Sequence, residues 1–285
     1  MEADASNSLQ ILSLRVPHAF SGLYNGNVQP VCLHYQRFSP EHDRVIVLLH
    51  GLTGNIGRWK DYLPELQKEH SILAIDLIGH GDSGDSQHLS DYSIDAQLEQ
   101  IVVIFRQECI AHCTVVGHSY SCALALRLVE LTDVHVDRLV LISPYFPDEN
   151  IIYRMRRLLL RMIILLWKFL PDQKGVRRFT YVAGRTSAHF SDNVRAIKEI
   201  GIKTYLAHLR NVFIDSLRLY VPGKIDIPVL MVHREQDSLC LPTVCVFLRT
   251  CCTSLVESLL PGNGHLYLRQ SSDEILMKIR NFLRS

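Results

Sequence analysis

The chain has 285 residues, 47% of them hydrophobic, and a formal net charge of +1. That length allows one large α/β domain or two smaller ones, and the apolar fraction supports a sizeable core and excludes a disordered chain. The near-balanced charge excludes bulk attraction to nucleic acid.

In chain order, the opening MEADASNSLQ is polar and acidic and does not read as a secretory signal. Segments 11–16 and 30–37 predict a strand pair linked through the turn signal YNGN. RVIVLL (44–49) is a near-continuous apolar run that ends in the glycine-rich HGLTGNIG, and a helix is expected to follow through Leu66. SILAID (71–76) is a second such run, leading into LIGHGDSGDS, and 93–110 has helical spacing. CTVVG (113–117) precedes a helix reaching about Leu131. RLVLIS (138–143), IPVLMVH (227–233) and LVESLL (255–260) are further strand-like runs, and a last helix covers 273–283. The closing NFLRS carries no prenylation or peroxisomal tag. Short runs buried on both faces and alternating with helices predict a mostly parallel sheet with helices on both sides. Ligands on such sheets bind at the carboxyl ends of the strands.

The rhythm breaks after Ser143. No strand-like run appears until Ile227, a gap longer than an ordinary connection. Residues 1–143 and 225–285 are therefore assigned to the core, and 144–224 to a helical insertion lying over the strand ends. Within it, IIYRMRRLLLRMIILLWKFL (151–170) is expected to be helical, with Arg154, Arg157, Arg161 and Lys168 on one stripe. Arg161 and Lys168 interrupt its apolar run, so no membrane span is expected here. A helix this apolar is expected to bury most of its surface, packed between the sheet and a second insertion helix, or else against a lipid surface. From 151 to 185 nine cationic residues face only Asp172. That charge suits a solvated face, an anionic substrate or peripheral contact with an anionic membrane.

Eight cysteines are present without a CxxC pair. Cys109, His112 and Cys113 lie close together in sequence, but a zinc site needs four well-spaced ligands, so no metal site is expected. So many free thiols suit a reducing compartment, so the expected location is cytoplasmic, with any membrane association confined to the surface.

The chemistry is concentrated at the strand ends. In GHSYS (117–121) a serine sits between a buried strand and a helix, a sharp turn that would expose its Oγ. A helix N-cap serine is the plainer reading of the same five residues. Small residues two before and two after it, Gly117 and Ser121, let the turn approach its neighbours. A serine needs a base to be nucleophilic at neutral pH. Among fourteen histidines, His265 is distinctive because it follows a strand in LLPGNGH, where Pro261, Gly262 and Gly264 bend the loop. Asp237, just beyond the 227–233 strand in REQD, is placed to orient it. The backbone N–H of Tyr120 and that of Leu52, in the loop where Gly51 permits close approach, suit an oxyanion hole. His50 is expected to brace that loop.

Four features at four strand ends, in the order Ser, Asp, His, resemble the α/β-hydrolase superfamily. The matching pieces are HGLTG (50–54), DLIGHGDSG (76–84), GHSYS (117–121), REQD (234–237) and GNGH (262–265), so the likeness runs from about residue 30 to the end. The resemblance implies an eight-stranded sheet, a Ser119–His265–Asp237 triad, no cofactor, and a cap in the insertion after Ser143. It also implies that His80 and Asp82 support the fold. The elbow of the family usually ends in glycine, where Ser121 is expected to bring mild strain. Members that open epoxides carry aspartate where Ser119 stands, so acyl transfer is expected. A small-molecule carboxylic ester is the leading substrate. Thioester or carbon–carbon cleavage, and a non-catalytic small-molecule-binding role, stay open. Tyr145, Phe146 and Trp167, with other aromatics of the insertion, are expected to line a pocket for apolar acyl or alkyl groups.

Overall fold

The computed structural model describes residues 10–16, 31–131, 134–145, 151–165, 200–212, 223–237, 239–265 and 267–285. Its centre is one eight-stranded sheet: β1 (Gln10–Val16), β2 (Val31–Phe38), β3 (Val45–Leu49), β4 (Ser71–Ile75), β5 (His112–His118), β6 (His135–Ile142), β7 (Ile225–Gln236) and β8 (Cys252–Asn263), in the spatial order β1-β2-β4-β3-β5-β6-β7-β8. Only β2 runs against the others, pairing antiparallel with β1 and β4, while β3 to β8 are parallel throughout. Both faces of β3 and β4 are buried along their full lengths, which is why their sequences read as apolar runs rather than alternations.

Alternate residues of the central strands enter opposite cores. Val47, Leu49, Val115, Leu139 and Met231 pack with α2 (Ile94–Gln107), α3 (Ser121–Leu128) and α6 (Pro242–Cys251) on one face. Ile46, Leu48, Val116, Val140 and Val232 pack on the other with Trp59 and Tyr62, with Leu66 of the single-turn α1 (Leu63–Leu66), and with α7 (Ser272–Arg284). This period-2 division puts helices on both sides of the sheet.

The sequence pattern does not announce α6. Its PTVCVFLRTC is rich in β-branched residues with weak helix preference. Burial of Val244, Cys245, Leu248 and Cys251 on one helical face overrides that preference, with Pro242 in the first turn. The helix after β5 stops at Leu128, short of Leu131.

Between β6 and β7 the described residues form two helices, α4 (Ile151–Leu165) and α5 (Ile202–Arg210), and no strand. The expected helix over 151–170 is seen through Leu165, and 166–170 lie outside the described residues. The expectation that this helix buries most of its surface does not hold for its described side chains. Leu160 is buried and Ile163 and Ile164 are half-buried, but Leu158, Leu159, Met162 and Leu165 are exposed, beside an exposed Arg161. No described helix is long and apolar enough to cross a membrane.

The chain passes from β3 to β4 on one side and then to β5 on the other. In parallel sheets, a reversal of this kind marks where ligands bind, beyond the carboxyl ends of the strands.

Candidate active site

The turn between β5 and α3 is short enough to force Ser119 to a φ of 54°, a left-handed conformation that is strained for a residue with a side chain. Its amide donates to the Ile142 carbonyl (2.9 Å) and its carbonyl accepts from the Cys122 amide (3.1 Å), so both neighbours hold the bend. Gly117 is required by space: a Cβ there would lie 2.9 Å from the Ser121 carbonyl oxygen and 3.0 Å from the Cys122 Cα. Ser121 brings no left-handed strain. Its buried hydroxyl accepts from the His118 amide (2.9 Å) and donates to the Leu49 carbonyl (2.6 Å), clipping the turn to the end of β3.

The loop after β3 lies directly against this turn. A Cβ on Gly51 would sit 2.9 Å from His118 Nδ1 and 3.2 Å from the Ser119 Cβ. Glycine therefore lets the backbone at Gly51, one residue before Leu52, lie against Ser119. His50 is fully buried and braces the loop: Nδ1 donates to the Gly51 carbonyl (2.8 Å) and Nε2 accepts from the Leu77 amide (3.0 Å). Burial lowers its pKa, consistent with a neutral ring. The turn after β4 supports the same loop. The Asp76 carboxylate accepts from the Ile56 amide (2.7 Å), the Asp82 amide (3.0 Å) and His34 Nδ1 (2.7 Å), and His80 Nε2 accepts from the Thr53 amide (3.3 Å). Asp82 acts here through its backbone, its side chain being exposed.

From the far side of the sheet the loops after β7 and β8 bring Asp237 and His265 to the serine. His265 Nε2 lies 2.7 Å from Ser119 Oγ, and its Nδ1 lies 2.9 and 3.0 Å from the two Asp237 carboxylate oxygens. A carboxylate on Nδ1 fixes the tautomer that leaves Nε2 free to take the serine proton. Asp237 is buried, which alone would raise its pKa. The His265 hydrogen bond and charge, the Leu239 amide (2.9 Å) and the Ser143 hydroxyl (2.7 Å) outweigh burial and bring it down to about 2. The Cys240 amide also donates to Asp237 (3.1 Å).

Several supporting residues have no signature in the sequence. Ser143, at the end of β6 with φ 46°, lies 2.7 Å from Asp237 Oδ2 and 2.6 Å from the buried Tyr267 hydroxyl, linking three strand ends. His118 stacks on His265 (centroids 5.9 Å apart, 25° between planes), and burial, with His265 nearby, holds its pKa well below the ordinary value. The His118 ring is therefore neutral at neutral pH.

The Tyr120 side chain points away from the turn into a buried polar cluster. Its hydroxyl accepts from Gln97 Nε2 of α2 (2.8 Å) and from Asn211 Nδ2, just beyond α5 (2.9 Å). The same two amides donate to the Tyr92 carbonyl, and Thr204 Oγ1 lies 3.4 Å from the Tyr92 hydroxyl. His208 of α5, fully buried, donates from Nε2 to the Ile78 carbonyl (3.1 Å) and meets the rings of His80, Tyr92 and Tyr120 edge-on. Burial brings its pKa down to about 4. Helix α5 and Asn211 thus meet the strand-end region through a polar seam as well as through buried Leu206 and Ala207. Of the expected pocket residues, Tyr145 is half-buried against the core, while Phe146 and Trp167 lie outside the described residues. Cys109, His112 and Cys113 form no cluster: Cys113 is buried in the core and His112 Nδ1 pairs with Asp137 (3.1 Å).

Residues 44–268 match the family model described as the alpha/beta hydrolase fold. Among curated proteins, the lipase LipV of Mycobacterium tuberculosis strain H37Rv is 31% identical over 115 residues, or 39% of this chain and 41% of the lipase. The first curated relatives are likewise matched over less than half of their own length. Among solved structures, epoxide hydrolase VrEH1 from Vigna radiata superposes with a TM-score of 0.69 at 16% identity, covering 97% of this chain and 98% of that one. The 2-hydroxy-6-oxo-6-phenylhexa-2,4-dienoate hydrolase of Rhodococcus sp. strain RHA1 gives a TM-score of 0.64 at 20% identity, covering 98% and 100%. At these identities the structural likeness establishes the fold alone.

Proposed function

Because the chain belongs to the α/β-hydrolase fold family, we propose that it is a serine hydrolase that cleaves a carboxylic ester bearing an apolar acyl or alkyl group. The observation carrying this reading is the hydrogen-bonded line from Ser119 Oγ through His265 to Asp237. In this reading Ser119 Oγ attacks the ester carbonyl as His265 Nε2 takes its proton. The tetrahedral oxyanion is held by the Leu52 and Tyr120 amides. Collapse breaks the bond to the alcohol oxygen, which leaves with the proton from His265. Water, deprotonated by His265, then attacks the acyl-enzyme and releases the acid and Ser119. Residues 144–224 act as a cap over the strand ends. The serine at 119 separates this site from the aspartate that epoxide-opening members of the family carry.

The test is labelling by a fluorophosphonate probe together with hydrolysis of p-nitrophenyl esters of graded chain length. Ser119→Ala is expected to abolish labelling and to lower kcat/KM by about three to six orders of magnitude. Equal labelling of wild type and variant would overturn the assignment. Acyl-CoA thioesters and diketones belong in the same panel, because the same groups serve thioester and carbon–carbon cleavage. A ligand that raises Tm without being consumed would instead indicate a binding protein.

We further propose peripheral membrane contact through 151–185, supported by the exposed Leu158, Leu159, Met162 and Leu165 beside Arg161 on α4.

A further inference from the structure

A second cluster of reactive side chains lies behind the triad acid. His233, near the end of β7, Cys240, on the loop that carries Asp237, and Cys245, in the first half of α6, are all buried. One ligand atom from each falls within 4.8 Å of the others, and Cys245 Sγ lies 3.8 Å from His233 Nε2. A zinc ion with sulfur at about 2.3 Å and nitrogen at about 2.0 Å in a tetrahedron requires sulfur–nitrogen edges of about 3.5 Å. The observed spacing is close to that edge.

The surroundings match a metal site in three further respects. Glu257 of β8 brings Oε1 to 3.0 Å from His233 Nε2; it stands outside the group of three, and a side-chain shift toward the thiols would make it the fourth ligand. Its other oxygen, Oε2, is taken by Arg249 through Nε (3.0 Å) and a terminal nitrogen (2.5 Å), which keeps the carboxylate beside His233. His233 Nδ1 lies 3.3 Å from the Arg234 carbonyl, the outer-shell contact that orients a metal-ligating imidazole. Two thiolates and one carboxylate on a divalent ion leave one negative charge, and Arg249 balances it.

We propose that His233, Cys240 and Cys245, completed by Glu257, form a structural zinc site. Coordination replaces each S–H bond by a sulfur–zinc bond and releases both protons to solvent. The bound ion joins β7, β8 and α6 through the loop whose Cys240 amide donates to Asp237 Oδ1. The site stands independently of the proposed reaction and revises the expectation, drawn from cysteine spacing alone, that the chain holds no metal. Spacing hides it because its ligands come from four elements.

The experiment uses the full-length, tag-free chain stripped with a chelator and dialysed. Zinc is expected to bind at one equivalent and to raise Tm by about 5 °C or more. Cobalt is expected to give the thiolate charge-transfer and visible bands of a tetrahedral site. Cys240→Ser and Cys245→Ser are each expected to weaken binding by about 100-fold or more. Cys109→Ser, at an exposed thiol outside the cluster, is expected to leave it unchanged. Cobalt spectra without charge transfer, or bands that survive Cys245→Ser, would overturn the proposal. If the serine variants do not fold, alkylation of the wild type in mild denaturant decides: zinc is expected to protect Cys240 and Cys245, and equal modification with and without zinc rejects the site.

Discussion

At the residue scale, the geometry gives different residues different roles. Ser119, His265 and Asp237 form the proton path of the proposed reaction, and Asp237 is itself held by Ser143, which also touches Tyr267. Removing the Ser143 hydroxyl takes one charge-assisted hydrogen bond from a buried carboxylate, a change of about 1.5–3 kcal/mol. Ser143→Ala is therefore expected to lower kcat on an ester substrate by about tenfold or more with KM little changed, since Ser143 acts through the acid. A separate steady-state determination of kcat and KM checks this. A rise in KM with kcat constant would place Ser143 in substrate binding instead.

At the element scale, the chain just beyond α5 and the β5–α3 turn meet at Asn211 and Tyr120. Asn211→Leu deprives the Tyr92 carbonyl and the Tyr120 hydroxyl of one donor each, while Gln97 still serves both. The expected loss of stability is about 1–3 kcal/mol, read from urea unfolding. Because Tyr120 follows Ser119 in the turn, the variant is also expected to change ester hydrolysis more than a surface substitution would. Helix α4 carries the other element-scale prediction. Vesicles containing anionic lipid are expected to retain the chain at low salt, and a Leu158→Ser, Met162→Ser, Leu165→Ser variant is expected to lose that retention. Unchanged flotation of this variant would remove α4 from membrane contact.

At the scale of the whole molecule, the core is sensitive to acid. His208 sits folded at about pKa 4 against an ordinary 6.5, and burial lowers His50 and His118 as well. Between about pH 6.5 and 4 the unfolded chain binds protons that the folded chain refuses. Stability is therefore full above that window and falls through it. A shift of this size corresponds to at most about 3 kcal/mol for His208. Asp237 extends the loss at lower pH: its pKa, depressed from 3.8 to about 2, contributes stability above about pH 4 that disappears toward pH 2. The urea midpoint is expected to be flat from pH 7 to 8 and to decline below about 6.5. His208→Gln is expected to flatten the upper part of that decline. A midpoint independent of pH between 7 and 4.5 would contradict this account.

The sheet and the three converging side chains were legible in the amino-acid sequence because each has a local cause. Strands buried on both faces must be apolar runs, and the bends that release Ser119 and His265 need small residues at fixed offsets. The edge strand β8 was legible only in its middle, LVESLL, because its outward residues face solvent and break the pattern. Helix α6 was hidden because β-branched residues and cysteines carry no helical signal without the core they fill. What only the tertiary structure decided are the supports: Ser143 and Tyr267 behind Asp237, the Ser121 clip onto Leu49, the Tyr120–Gln97–Asn211 seam, and the cluster of His233, Cys240, Cys245 and Glu257. Their partners lie on different elements, many of them tens of residues apart or more, and a hydrogen bond across such a gap leaves no periodicity in the chain. It exists only once the sheet has brought the strand ends together.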